Sequence, residues 1–515
     1  MTRARHLLQS SVIVIALLAL GKITGLIRIR LTAQAFGTGP AADAFLAANQ
    51  LPEVFVTFIS SAALAAAFIP VYAKYLQEDE TSDSQGMPKH LRLANTILTL
   101  VMLILTGISI IGGILAPVFA PLMVPGFSAE NQRLTADLMR IILLQSTLFG
   151  ISGVLSSILN AHQHFALPAL APIGLDIGYV IGIYFFVPTM GIYGLAWGTV
   201  IGGLLHVLIK VPGLIKYRYR FRPVLDLKMD GVREVLILMG PRMVTLAALQ
   251  VMDIFIANRA SGLASGTTSG YFQAQQLQQL PETLLGTAIA IVIFPTMAEL
   301  FNSGDIEGLK KMAVSALRII WTLTIPAAVG LIMFGRTAIA FFLEGEAFTE
   351  TSTRLVYTAI IFLSVRVVSE ATQEIVARLF YARHNTKTPA FIAVGWLALN
   401  IVLAFWLSGI MDIGGLALAS TIAFTAQSAV LYFLNYRELN GLGGRELGLT
   451  AVRSLLAAGA MALVILGIGR VFTTPLLFLT IGAATGGAVY FLAAYFLGGR
   501  EIPELLNLIR ARQNA

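Results

Sequence analysis

Asn160-Ala161-His162-Gln163-His164-Phe165-Ala166-Leu167-Pro168 precedes an apolar run that ends at Gly194-Leu195-Ala196. Tyr381-Ala382-Arg383-His384-Asn385-Thr386-Lys387-Thr388-Pro389 precedes another, ending at Gly415-Leu416-Ala417. Ala161 and Ala382, Pro168 and Pro389, and Gly194 and Gly415 all share one separation of 221 positions. A second pair of landmarks agrees: Leu51-Pro52-Glu53 before Phe68-Ile69-Pro70, and Leu280-Pro281-Glu282 before Ile293-Phe294-Pro295. Chance likeness among Leu- and Ala-rich segments is common, but a shared offset through Pro and Gly landmarks points to an internal duplication.

The repeated unit is built for lipid. Of 515 residues, 57% are hydrophobic and 12% charged, and the mean hydropathy is +0.81; soluble domains carry about 25% charged residues. With 47 Gly and 19 Pro scattered through apolar stretches and few runs alternating on a two-residue period, the spans read as interrupted helices rather than barrel strands. Fourteen stretches are long and apolar enough to cross a bilayer: 9-35, 42-75, 92-121, 134-159, 167-187, 191-212, 233-259, 270-300, 311-343, 352-380, 388-408, 413-435, 448-470 and 474-498. The first lacks a processing site and runs into Lys22, Arg28 and Arg30, so it reads as a span and not a cleaved signal.

Lys and Arg sort between alternate loops, 22 on one side against five (Arg133, Arg259, Arg336, Arg354, Arg470) on the other. This asymmetry supports the span count and predicts that both termini are cytoplasmic. The net charge of +8 is therefore a topology signal, with no nucleic-acid partner implied, and Lys210 to Arg233 reads as a cytoplasmic loop beside anionic lipid. Six spans separate the repeats, so the halves share an orientation. The predicted fold is all-α and polytopic, with two six-helix lobes related by a pseudo-twofold along the membrane normal: helices 1-6 in 1-215, helices 7-12 in 216-437, and a C-terminal pair in 438-515. Two such bundles facing one another suit alternating access.

Charges at lipid depth mark the candidate site. A basic residue at a helix centre costs about 2.5 to 3.5 kcal/mol on insertion scales, which disfavours Lys22, Arg28 and Arg30 on a lipid face. Snorkelling to headgroups is the bland alternative, weightiest for Arg30. Arg242 after Gly240-Pro241 is the pseudo-equivalent basic residue of span seven. Glu53 and Glu282 follow the matched prolines, where a freed carbonyl and a bend let a carboxylate face water, paired with Lys22 and Arg28 or meeting a cation. Asp43 and Asp253 add acid, and Gln275 and Gln276 belong to a polar stretch that reads as cavity lining. Arg366 and Glu370, four apart, read as an ordinary helical ion pair. There is no Cys, and no metal cluster, Walker loop or catalytic triad order stands out, so a transporter is expected and not an enzyme. Without a nucleotide site, an ion gradient, the membrane potential or the substrate gradient would supply the energy.

Gly25-Leu26-Ile27-Arg28, Ala35-Phe36-Gly37, Ala42-Asp43-Ala44-Phe45, Leu51-Pro52 and Ala67-Phe68-Ile69-Pro70 resemble the opening signature of the MurJ (MviN) family, within the multidrug, oligosaccharidyl-lipid and polysaccharide exporters. The resemblance continues through Gly240-Pro241, Gly286, Thr386-Lys387-Thr388-Pro389 and Gly415-Leu416-Ala417. It implies fourteen helices and a flippase carrying lipid II, the undecaprenyl-pyrophosphate-linked peptidoglycan precursor, from the inner to the outer leaflet of the bacterial cytoplasmic membrane. It also implies a cationic cavity from helices 1, 2, 7 and 8 for the pyrophosphate, and a groove by helices 13 and 14 for the tail. Lys22 stands where the family usually has Arg, and Arg28 matches directly. Val56-Thr57 stands near a usual Arg, Gln275-Gln276 replaces a usual Asp-Arg pair, and Ser61-Ala62 replaces Glu-Gly. Arg30 and Arg242 are placed to restore the lost charge. Some relatives use sodium, and Asp253 is the residue placed to join such a site. The expected partners are a lipid-linked precursor and membrane lipids, with a monomer sufficient and no cofactor beyond sodium or potential coupling. Two alternatives remain: an exporter of another polyprenyl-linked saccharide or amphipathic solute, and a membrane glycosyltransferase, disfavoured by short outer loops.

Overall fold

The computed structural model describes residues 3-60, 62-78 and 87-499, and within the helices the side chains of 3-16, 18-19, 58-60, 62-63, 66, 78, 240-245 and 247 are not described. Helices account for each of the fourteen expected spans. In chain order they are α1 Arg3–Phe36, α2 Pro40–Ser60, α3 Ala62–Glu78, α4 Lys89–Met123, α5 Ala129–Ala161, α6 Ala166–Ile181, α7 Val187–Met190, α8 Ile192–Leu208 and α9 Val211–Lys216. There follow α10 Asp230–Ser261, α11 Thr267–Glu282, α12 Ala288–Asn302, α13 Ile306–Leu343, α14 Glu350–Ala382, α15 Lys387–Glu438, α16 Gly444–Val471 and α17 Pro475–Phe496. π-helical turns at Gly182–Phe186 and Thr283–Thr287 join α6 to α7 and α11 to α12. Large apolar side chains remain on outer faces, including Ile114 and Leu122 of α4, Leu463 of α16 and Phe496 of α17. Patches of this kind suit acyl chains rather than water.

The duplication is visible in the backbone. Gln163 and His384, 221 positions apart, both take a left-handed φ, at 56° and 59°. Gly191 (φ 58°, ψ −136°) breaks the chain between α7 and α8, and at the same offset Asp412 (φ 48°, ψ −127°) breaks α15 between its two expected spans. That corner is natural for glycine and strained for aspartate. α15 is therefore two spans joined without a loop.

The chain forms two compact units, residues 1-268 with 345-347, and 269-344 with 348-515. In the first, α2, α4, α5, α6 and α8 build a cluster with Phe45, Met139, Ile142, Leu143, Tyr179 and Leu195. A second cluster, with Phe68, Tyr72, Leu93, Ile97 and Val235, joins α3 and α10 to it. α10, which the sequence offset groups with the second repeat, packs on α2, α3 and α4 here. α6 and α8 meet through glycines: a Cβ on Gly178 would lie 2.2 Å from the Gly202 Cα, and one on Gly182 2.8 Å from the Gly198 Cα. Nothing but glycine admits that approach. In the second unit α12 to α15 enclose Ala371, Ile375, Val376, Phe380 and Leu317. The α16 and α17 pair rests on α13 through Ile325, Met461, Ile465 and Tyr490, whose hydroxyl donates to the Thr322 carbonyl at 2.7 Å.

Candidate functional site

In its second half α1 carries three cations, Lys22, Arg28 and Arg30, and the helix turns them apart. At about 100° per residue, Arg28 is rotated about 120° from Lys22, and Arg30 about 80° the other way. Arg28 lies against α6, where Nε meets Asp176 Oδ1 at 2.9 Å, with side-chain exposures of 26% and 8%. Thr24 Oγ1 donates to the other Asp176 oxygen at 2.6 Å, and the guanidinium stands 4.9 Å from the centroid of the buried Tyr179 ring. Arg28 is thus clamped in orientation by acid, ring and helix packing while an accessible fraction remains. Lys22 and Arg30 are exposed and make no ion pair among the described residues.

The sequence offered Glu53 and Glu282 as partners for Lys22 and Arg28, or as ligands of a cation; the structure puts Asp176 beside Arg28. Glu53 lies on the exposed side of α2 and forms no ion pair among the described residues. The reason is topological: α6 packs directly along α1, and Asp176 is an acid on its buried face between Gly174 and Gly178. A carboxylate in an apolar helix was the available signal; its partner depends on which helices touch. Asp43 is a structural residue, buried in the first turn of α2, with Oδ2 accepting the Gly266 N–H at 2.7 Å. Gly266 is a left-handed glycine at φ 89°.

Arg242 lies in α10, and its side chain is outside the described residues. Asp253 is partly buried in α10. One turn earlier, Gln250 Nε2 donates to Thr57 Oγ1 at 3.1 Å, so one uncharged position of α2 is engaged by a neutral amide. Gln275 and Gln276 are partly buried on α11, and Glu282 is buried at its end, all in the second unit. Arg366 and Glu370 form the expected helical pair at 3.1 Å.

Lys210, expected in a lipid-facing basic loop, is fully buried. Its Nζ donates to the Ser152 carbonyl at 3.0 Å and to Ser152 Oγ, and lies 3.4 Å from His206 Nδ1. The break between α8 and α9 folds the lysine stem under the chain instead of outward. His206, the one histidine of α8, thereby gains Ser152 at 2.6 Å. Beyond α5, His162 stacks on Tyr217 with ring centroids 4.4 Å apart and meets the Tyr72 hydroxyl at 3.2 Å. Burial, and then the neighbouring His90, push the His162 pKa down from 6.5.

Among the described residues no group of three His, Asp or Glu is placed to hold a metal ion. The arrangement offers fixed and free cations on one apolar helix, suited to an anionic group that must shed water.

A family model described as Lipid II flippase MurJ matches residues 32–483. The Burkholderia cenocepacia protein named Lipid II flippase MurJ is 27% identical over 429 residues, covering 81% of this chain and 81% of that one. A solved structure titled as lipid II flippase MurJ in an inward closed conformation matches with a TM-score of 0.80 at 23% identity, over 94% of this chain and 98% of that chain. An inward-facing multidrug resistance MATE family transporter of the MOP superfamily matches with a TM-score of 0.68 at 13% identity, over 83% and 98%. At these identities the solved structures speak to the fold.

Proposed function

Because the chain belongs to the lipid II flippase MurJ family, whose model matches residues 32–483, we propose that it translocates lipid II from the inner to the outer leaflet by alternating access. That match over most of the chain carries the reading. The physical task is to take a pyrophosphate across hydrocarbon, and a guanidinium preset in a low-dielectric site can replace its hydration. Arg28 is the residue we assign to this contact, since its acid, ring and helix neighbours hold it in place. Lys22 and Arg30, with no ion pair among the described residues, would gather the anion, and Arg242, Glu53, Gln275, Gln276 and Glu282 complete the proposed set. The loop charge asymmetry supports cytoplasmic termini, and the membrane potential or a cation gradient, with Asp253 a candidate cation ligand, would drive return. The activity is transport without bond chemistry, and a monomer would suffice.

A second reading, export of another polyprenyl-linked saccharide, draws support from the neutral Thr57–Gln250 contact where charge is usual. One experiment separates the two. In a strain depleted of its lipid II flippase, expression of this chain should restore growth, and Arg28→Ala should abolish rescue at equal membrane abundance. Absence of rescue by the wild-type chain, present in the membrane at normal level, would favour the second reading.

A further inference from the structure

Glu282 ends α11 immediately after Pro281, is 6% exposed, and has no ion pair among the described residues. The charged groups acting on it come from α14: Glu370, Glu374 and Arg366. Both guanidiniums nearby are committed elsewhere. Arg366 gives Nε and Nη2 to the two oxygens of Glu370, at 3.1 and 3.3 Å, and Arg378 pairs with Glu374. On α13, Lys310, Arg318 and Arg336 face Glu307, Glu446 and Glu350; Lys311 and, on α12, Glu299 are exposed. Three carboxylates thus share two cations, and Glu282 is the one left over.

Its hydrogen bonds are equally thin. Thr287 Oγ1 donates to Glu282 Oε1 at 3.0 Å. Thr283 Oγ1 stands 3.4 Å from Glu282 Oε2, but its single proton points to the Gln279 carbonyl at 2.7 Å. An ionised Glu282 would be a buried charge with one good donor, which is costly. One turn earlier on the same face sits Gln278, fully buried. Its Nε2 donates to Glu370 Oε2 at 3.2 Å, which fixes the amide orientation, while its Oε1 is buried without a partner. A carboxyl without a cation and an acceptor without a donor therefore share one helical face.

We propose that Glu282 is a proton-binding site of this transporter, its carboxyl protonated in the conformation seen here and donating to Gln278 Oε1. The backbone ties that proton to conformation. Thr287 is five residues from Glu282, and the pair meets because Thr283–Thr287 is π-helical; in an α-helix, five residues turn them apart by about 140°. Gly286 leaves the room: a Cβ there would lie 2.7 Å from Ala371 Cβ and 3.0 Å from Glu282 Oε1. A cavity of about 300 Å³ lined by Glu374, Arg378, Phe294 and Tyr381 opens at the Glu374 edge of the cluster. Relaxation of the π turn would take the last donor from the carboxyl and change its proton affinity. The inference holds whichever lipid-linked substrate is carried.

Infrared difference spectroscopy on the full chain in liposomes tests it without any flipping readout. At neutral pH the wild type should show a protonated-carboxyl C=O band that is wholly lost in Glu282→Gln. In Gln278→Leu, which removes the acceptor and not the acid, the band should move to higher frequency. Replacing potassium by sodium should leave it in place. A wild type without the band, a band that survives in Glu282→Gln, a band unmoved in Gln278→Leu, or a band abolished by sodium would each overturn the proposal.

Discussion

Consider replacing Asp176 by Ala. At 2.9 Å and an effective dielectric near 20, the gross attraction between Arg28 and Asp176 is about 6 kcal/mol. Most of that offsets the desolvation of the two ions, so it is not the cost of the substitution. Removing one member of a buried pair costs about 3 to 5 kcal/mol because the other is left uncompensated. Arg28 keeps 26% of its side chain accessible, which lets water reach it and lowers the expectation to about 2 to 3 kcal/mol. Thr24 loses its bond to the carboxylate but keeps the Gly21 carbonyl at 3.1 Å, while the Tyr179 face retains about 0.5 to 1 kcal/mol of attraction for the guanidinium. Arg28→Ala should cost less, about 1 to 2 kcal/mol, since Asp176 keeps the Thr24 hydroxyl. The double variant should then be more stable than the sum of the single losses implies, by about 1 to 2 kcal/mol of coupling. Unfolding of the purified full chain by denaturing detergent measures all four proteins. Strict additivity would refute the argument that Asp176 is what holds Arg28.

Asp412→Gly should stabilise the chain by about 1 kcal/mol by relieving a corner that favours glycine, whereas Gly191→Asp at the matching corner should destabilise it by a similar amount; a thermal melt showing no change in either would contradict the strain. For His162, the depressed folded pKa means that the unfolded chain takes up the proton first, so its stabilisation is present above pH 6.5 and is lost as the pH falls. His162→Gln should therefore flatten the decline of stability below that pH, and an unaltered slope would count against it.

Span positions and the duplication were legible because both are local: hydropathy windows mark the helices, and the 221-residue offset reappears at Gln163 and His384 as one backbone geometry. Contacts between helices were not. Arg28 was visible as a cation at lipid depth, but its partner depended on α6 lying along α1, so the sequence offered Glu53 and Glu282 and not Asp176. Lys210 was misread because it adjoins Lys216 and Arg218, and a basic run looks solvated until the chain breaks after Leu208 and turns one member inward. The π turn after Glu282 leaves no periodic trace, since five residues cannot shift a pattern of 3.6. The boundary at Asp412 was legible too, because the apolar windows 388-408 and 413-435 part there, although nothing in the pattern shows that an aspartate takes a glycine's corner.

The glycine seam between α6 and α8 has a mechanical consequence. With main chain against main chain at Gly178 and Gly202, no rotamer can rearrange to let one helix slide or roll past the other. The two behave as a laminate, stiff across its width and able to flex only beyond its edges. Asp176 is mounted on that plate, so the carboxylate that Arg28 meets is held at a fixed place relative to α8.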